Sequence, residues 1–264
     1  MSLIYEPRGR AREYAALACN VYSGCDHCCT YCYAPSATRK NRDSFSVPGV
    51  RPNGFIPKLK KEAKQHWLKH TSDRILLSFT CDPYQHLDVK EQITRQTLEI
   101  LKACDLRVQI LTKGGLRALR DIDLLTPRDA FACSLTLLDN EQSLEWEPGA
   151  APPSERIYAL HRFHGAGIPT WASLEPVLDP AVSLQIIRET HTFVNLFKVG
   201  KLNYHPLAKT IDWRKFANDA VNLLESLGCK YYIKRDLACY LPENTPKQFI
   251  AKRQGQIIRQ PALL

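Results

Sequence analysis

The sequence predicts an α/β protein, a partial (β/α)6 barrel of the TIM kind, on two observations. Six short apolar runs alternate with six amphipathic stretches between residues 13 and 227, and the end of each run carries polar or thiol side chains. A strand followed by a helix and then another strand is a crossover connection, so the strands are expected to be parallel. Six units are too few to close a full barrel. The runs are residues 13–22 (EYAALACNVY), 74–80 (RILLSFT), 107–112 (RVQILT), 130–136 (AFACSLT), 168–177 (IPTWASLEPV) and 193–200 (FVNLFKVG). Helices are expected over 58–70, 91–103, 116–120, 154–165, 182–192 and 213–227, where apolar residues recur at helical intervals. In such barrels chemistry sits at the carboxyl ends of the strands. Those ends carry a cysteine cluster, Cys81-Asp82, Lys113, Ser134 to Thr136, Glu175, and Lys201 to Asn203 in turn.

The first run leads into Gly24-Cys25-Asp26-His27-Cys28-Cys29-Thr30-Tyr31-Cys32-Tyr33-Ala34-Pro35, which holds four of the ten cysteines. Cys25, Cys29 and Cys32 read C-x3-C-x2-C with an aromatic before the last. Three thiolates at this spacing can converge on one face of a cubane iron-sulfur cluster and leave its fourth iron open, whereas electron-transfer clusters are normally closed by four protein ligands. Cys28 is the spare, expected to point away. Structural zinc is the competing reading: His27 with Cys25, Cys28 or Cys29, and Cys32 makes a four-ligand set, although no second CxxC or HxxxH pair follows. A disulfide framework fits poorly, because the chain is long and its cysteines are unevenly spread.

The chain has 264 residues, 44% of them hydrophobic, and carries 36 Lys and Arg against 27 Asp and Glu, a formal charge of +9. This balance favours polyanionic partners without requiring them. The amino terminus is charged and polar, and no apolar run approaches the length that spans a bilayer. A soluble, cytoplasmic protein with no membrane partner is the expectation. The expected organisation is an arm over residues 1–12, the barrel over 13–228, and a basic extension over 229–264 packed on the barrel. Residues 38–42 (TRKNR) read as solvated. Residues 230–235 (KYYIKR) and 247–259 (KQFIAKRQGQIIR) interleave basic and aromatic or apolar residues, which would combine phosphate contacts with base stacking by Tyr231 and Tyr232.

The cysteine spacing with Tyr31 before Cys32 resembles the signature of the radical S-adenosylmethionine (radical SAM) superfamily. Within it the likeness is to the spore photoproduct lyase branch, carried by residues 24–34, Ser78-Phe79-Thr80, Asp82-Pro83-Tyr84-Gln85, Thr112-Lys113, Arg120 to Leu125 and Ser134-Leu135-Thr136, over roughly residues 15–200. The resemblance implies a [4Fe-4S] cluster held by Cys25, Cys29 and Cys32 and SAM chelated to the open iron. It implies an electron donor such as flavodoxin or ferredoxin, and a 5'-deoxyadenosyl radical that takes hydrogen from an unreactive carbon. Tyr31 would pack near the SAM adenine, Thr80 and Lys113 would hold the amino acid end, and Ser134 the carboxylate or ribose. A lysine at a strand end independently suits a carboxylate. Glu175, at the end of an apolar strand, would bind ribose or a substrate amine, or pair with a basic residue. Spore photoproduct lyases carry a hydrogen-donating cysteine three residues before the aspartate of the second-strand motif. Here that position is Phe79, and Cys81 is the only cysteine nearby, so Cys81 and Tyr84 are the candidate catalytic side chains. The substrate implied is a base or nucleotide in nucleic acid. A peptide or small metabolite is the alternative, and a zinc-dependent nucleic-acid-binding module is the reading from a different class.

Overall fold

The computed structural model describes residues 2–52, 54–243 and 245, so the basic tail at 247–259 lies outside the described residues. One sheet of eight strands organises the chain. Its order is β1 (Ile4–Tyr5), β2 (Leu17–Cys19), β5 (Ile75–Leu77), β6 (Val108–Thr112), β7 (Ala130–Ser134), β8 (Thr170–Val177), β9 (Leu196–Lys201), β10 (Tyr231–Ile233). Strands β3 (Tyr22–Ser23) and β4 (Gly49–Val50) form a small antiparallel pair beside it. From β2 to β10 every pairing in the main sheet is parallel, and β1 runs antiparallel along the edge of β2. The sheet is therefore an open barrel in which β1 and β10 are the two edges. Among the described residues no helix is long and apolar enough to cross a membrane.

Two features differ from the sequence expectation. Among the described residues the parallel strands number seven, because Tyr231–Ile233 pairs with β9, and Tyr231 and Tyr232 are each 2% exposed. They belong to the barrel and are not available to stack on bases. The first strand is also shorter than expected. It begins at Leu17, and the preceding turn Gly9–Glu13 with Tyr14 enters the barrel instead.

Side chains alternate across a strand, and here the alternation separates two environments. Ile75, Leu77, Val108, Ile110, Phe131, Cys133, Phe197, Val199, Tyr231 and Ile233 face the helices. Ala18, Leu76, Ala130, Ala132, Trp171 and Leu196 form a separate inner cluster with Tyr14 and Ala15. Small residues on β7 leave room inside for Trp171. The inner positions then turn polar. Gln109 Nε2 donates to the Tyr14 carbonyl at 3.1 Å and Lys198 Nζ to the same carbonyl at 3.0 Å. Tyr232 Oη donates to Glu13 at 3.2 Å, and the Arg235 amide donates to the same carboxylate oxygen at 2.7 Å. Buried polar groups need such partners, and these tie the 9–14 turn into the barrel floor.

Lys198 is 1% exposed, with Nζ 4.5 Å from the Trp171 ring centre. Burial, reinforced by the Lys234 charge, lowers its pKa from 10.5 to about 7. Between those values the unfolded chain holds the proton and the native one does not, so stability from this group rises with pH by about 1.4 kcal/mol per unit. The stability difference between the wild-type protein and Lys198→Met is therefore expected to shift in favour of the wild type by about 2 kcal/mol between pH 7 and about 9. Parallel denaturant titrations measure this, and a difference that is constant with pH would contradict it.

Candidate active site

At the carboxyl ends of the strands the inward positions open into a cavity of 870 Å³, toward the top of the range of roughly 300–1,000 Å³ usual for small-molecule sites. Of the residues singled out in the sequence, Cys25, Cys29, Cys32, Tyr31, Thr80, Cys81, Lys113, Ser134 and Glu175 all line it. Each continues an inward column or lies on a loop that follows one: Ala130, Ala132, Ser134 on β7, and Trp171, Ser173, Glu175 on β8.

Tyr84 is the exception. It is 1% exposed and absent from the cavity wall. Its amide donates to Asp82 at 2.8 Å, and its Cβ packs so closely under Gly114 that a side chain there would approach it to 2.5 Å. In this structure Tyr84 therefore packs in the core and does not face the cavity. The neighbouring Asp82 and Gln85 are brackets. Asp82 accepts from Thr112 Oγ1 at 2.6 Å and the Lys113 amide at 2.7 Å, which fixes the β6 end against the β5 loop. Gln85, fully buried, accepts from the Asp26 amide at 3.0 Å and donates to the Gly24 carbonyl at 3.4 Å, holding the cysteine loop.

That loop is constrained on several sides. Gly24 has φ +85°, and a Cβ there would meet the Phe45 carbonyl at 2.5 Å, the same carbonyl that accepts from the Cys25 amide at 2.9 Å. Only glycine suits this close approach at positive φ. On the other side Gly149 lies against Asp26, donating to the His27 carbonyl at 3.0 Å. Arg42, exposed as expected, also donates to the carbonyls of Cys29, Thr30 and Cys32 at 3.2, 2.7 and 3.4 Å. Cys28 sits at φ +52°, exposed, outside the cavity. Burial pushes the Cys29 thiol up to about 12, an effect that the Lys113 charge partly opposes. A cationic metal centre would favour the thiolate form that ligation requires.

The histidine of the zinc reading lines the same cavity and is engaged by other side chains. His27 is 2% exposed and held between Asp82, with Nδ1 3.5 Å from Oδ2, and Arg117, with Nη2 3.3 Å from Nε2. Burial, opposed by Asp82 and reinforced by the Arg117 charge, lowers its pKa to about 4, so the ring is neutral near pH 7.

A residue that the sequence reading passed over sits beside the cysteines. Glu147 is 1% exposed and accepts from the Tyr31 hydroxyl, from Thr136 Oγ1 at 2.8 Å and from Arg156 Nη1 at 2.5 Å, with Lys113 Nζ at 3.9 Å. Burial alone would raise its pKa, but Arg156, Lys113 and the two hydroxyls hold it below the ordinary carboxylate range. The helix Asn140–Trp146 that delivers it was not expected either. Its signal is Asp139, whose side chain caps the Gln142 amide at 2.8 Å in the D-x-x-Q pattern of a capping box. Lys113 is only 15% exposed, so it is not a solvated turn residue. Burial opposes its charge, while Cys29 and Glu147 raise its pKa overall. Glu175 forms a second paired carboxylate, accepting from the Tyr14 hydroxyl and from Lys234. Cys81, 8% exposed, lies on the wall with Phe79, and its sulfur accepts from the Tyr22 amide at 3.4 Å.

An open parallel barrel with three cysteines of C-x3-C-x2-C spacing on the wall of its strand-end cavity defines a class of cluster-dependent radical enzymes. The chain belongs to the radical SAM superfamily, whose model matches residues 19–194. Its cofactors are accordingly a [4Fe-4S] cluster and SAM. An uncharacterized protein of Methanocaldococcus jannaschii is 31% identical over 189 residues, 70% of this chain and 69% of its own. An uncharacterized protein of Mycobacterium tuberculosis is 28% identical over 170 residues, and the match spans 60% of this chain and 48% of that relative. Among solved structures, spore photoproduct lyase with bound AdoMet and a dinucleoside spore photoproduct superposes with a TM-score of 0.66 at 15% identity, covering 88% of this chain and 78% of that one. SuiB of Streptococcus suis bound to S-adenosylmethionine gives 0.63 at 13% identity, over 84% and 51%. These likenesses establish the partial barrel as the shared fold.

Proposed function

We propose that the protein cleaves SAM reductively and directs the radical to a base or nucleotide of a nucleic acid, with Cys25, Cys29 and Cys32 as cluster ligands. Together the cluster and SAM supply a 5'-deoxyadenosyl radical able to take hydrogen from an unreactive carbon, and the protein contributes orientation and exclusion of side reactions. In this reading Arg42 and Gln85 hold the cysteine loop. Lys113 meets the SAM carboxylate, with Glu147 and Arg156 fixing its position. Thr80, Ser134 and Glu175 offer further polar contacts on the cavity wall, and Tyr31 would pack near the SAM adenine. Of the two candidate catalytic side chains Cys81 lines the cavity, and it would be the one to meet a substrate.

The observation that carries the substrate class is the cavity rim. Arg10, Arg42 and Lys201 line it together with Tyr33, 54% exposed, and Tyr204, 90% exposed. Arg10 donates to the Tyr204 hydroxyl at 3.1 Å, lies 5.4 Å over its ring and pairs with Asp236 at 2.7 Å. A cationic rim with exposed aromatic faces suits phosphate contact and base stacking. The acidic wall residues Asp82 and Glu175 are engaged by internal donors. The dinucleoside bound in the spore photoproduct lyase structure supports the same class.

The test is a titration of fluorescent single- and double-stranded oligonucleotides against the anaerobic, cluster-loaded enzyme at several salt concentrations. Binding that weakens steeply with salt is expected. A duplex should bind less well, because extracting a base costs roughly a few kcal/mol. No binding at low salt by a preparation that still cleaves SAM would shift the substrate to a peptide or small metabolite. Independently, Lys113→Met is expected to weaken SAM binding by about 1.5–3 kcal/mol, the worth of a charge-assisted hydrogen bond, with cluster content unchanged. An unaltered SAM dissociation constant in the folded, loaded variant would remove Lys113 from the site.

A further inference from the structure

A second cavity of 640 Å³ adjoins the first, and the two share the wall residue Lys201. Lys201, Lys209 and Arg214 supply its cations, Asp212 its only carboxylate, and Ala208, Ile211, Trp213 and Tyr240 its remaining lining. The Asp212 carboxylate faces the helix Trp213–Ser226, where it caps the Lys215 amide at 2.9 Å. Among the described residues Lys209 and Arg214 are exposed and form no ion pair. The frame around them is built. Trp213 Nε1 donates to the Ala208 carbonyl at 2.8 Å, fixing the short Pro206–Lys209 turn to the helix. Lys201 is clamped between the Trp213 and Tyr240 rings, at 5.1 and 5.0 Å from their centres, and donates to Tyr240 Oη at 3.1 Å.

A lysine held at a fixed place between two cavities, with two uncommitted cations beyond it, continues the positive rim away from the reaction site. We propose that this groove binds the phosphate backbone of the nucleic-acid strand flanking the target nucleotide, so that the strand runs from the cavity mouth across Lys201 to Lys209 and Arg214. The proposal rests on the nucleic-acid reading of the main cavity. It places phosphates where an isolated nucleotide in the main cavity would not reach.

The experiment compares the cluster-loaded wild-type protein with the double variant Lys209→Met/Arg214→Gln. Each is titrated with a fluorescent single-stranded oligonucleotide long enough to span both cavities and, separately, with a dinucleotide. Each phosphate contact contributes about 0.7 to the slope of log K against log salt on single strands, so the double variant should lose about 1.4. Each single variant should lose about half of that, and Lys209→Arg/Arg214→Lys should keep the full slope. Dinucleotide affinity should not change. An oligonucleotide slope equal to that of the wild type overturns the groove and leaves the nucleic-acid reading intact. Loss of dinucleotide affinity would make the groove a site for a free nucleotide, against the proposal. No binding of any oligonucleotide by the wild-type protein removes both. The cluster absorbance of each variant reports folding, and the single variants keep the test open if the double variant does not fold.

Discussion

Replacing Cys25, Cys29 or Cys32 by Ala is expected to abolish the four-iron cluster in each case, whereas Cys28→Ala leaves iron and sulfide at the wild-type level. The asymmetry follows from where the loop puts its four sulfurs. Cys25, Cys29 and Cys32 share the cavity wall, and Cys28, at φ +52°, is on the outside. With three ligands from the loop and its fourth cysteine outside, loss of one leaves two irons without a loop cysteine. Arg42 would still hold the loop carbonyls, so the apo variants should keep their fold. Iron and sulfide analysis after anaerobic purification, with circular dichroism as the folding control, measures this. Full cluster content in the Cys29→Ala protein would contradict the ligand assignment.

Glu147→Ala is expected to destabilise the protein by about 3–5 kcal/mol, the cost of breaking a buried ion pair by removing one partner. Arg156 is 0% exposed, and its guanidinium would remain buried with only the carbonyls of Ala151 and Ser134, at 2.7 and 3.2 Å, and Ser143 Oγ, at 3.4 Å. The Tyr31 and Thr136 hydroxyls would lose their acceptor as well. Against a total stability usually about 5–15 kcal/mol, that is a large share. Glu147→Gln keeps the shape and an acceptor oxygen and should cost less. Urea denaturation of the three proteins under anaerobic conditions reads the difference, and a loss below about 1 kcal/mol for Glu147→Ala would mean that water or a rearranged partner replaces the carboxylate.

The barrel was legible because its central strands carry a simple signal: apolar runs of strand length separated by helical periods, each ending in a polar group. The same alternation that sets Ala130 and Ala132 inside carries Ser134 to the cavity, so reading the strands was nearly reading the site. Three things escaped for physical reasons. Tyr231–Ile233 is a three-residue strand flanked by Lys230 and Lys234, and its short apolar content is masked by neighbours whose charges are used elsewhere, Lys234 on Glu175. Tyr84 follows a proline in a loop, where an aromatic is more often a packed cap than a catalytic group, and which of the two it is depends on Gly114, a neighbour supplied by a different strand end. Glu147 meets Tyr31 across 116 residues of sequence, and a pairing made only by the fold leaves no local periodicity. Its capping signal at Asp139 was present and would have placed the helix, though not its partner.

The most direct test of radical chemistry on nucleic acid follows hydrogen itself. DNA and RNA isolated from cells grown in deuterated medium, fragmented to oligonucleotides, are incubated in ordinary water with the cluster-loaded enzyme, SAM and a one-electron reductant, and the 5'-deoxyadenosine formed is analysed by mass spectrometry. Deuterium in the 5'-deoxyadenosine, absent when the oligonucleotides are unlabelled, is the expected result. Abundant 5'-deoxyadenosine that carries no deuterium from either nucleic acid would contradict it.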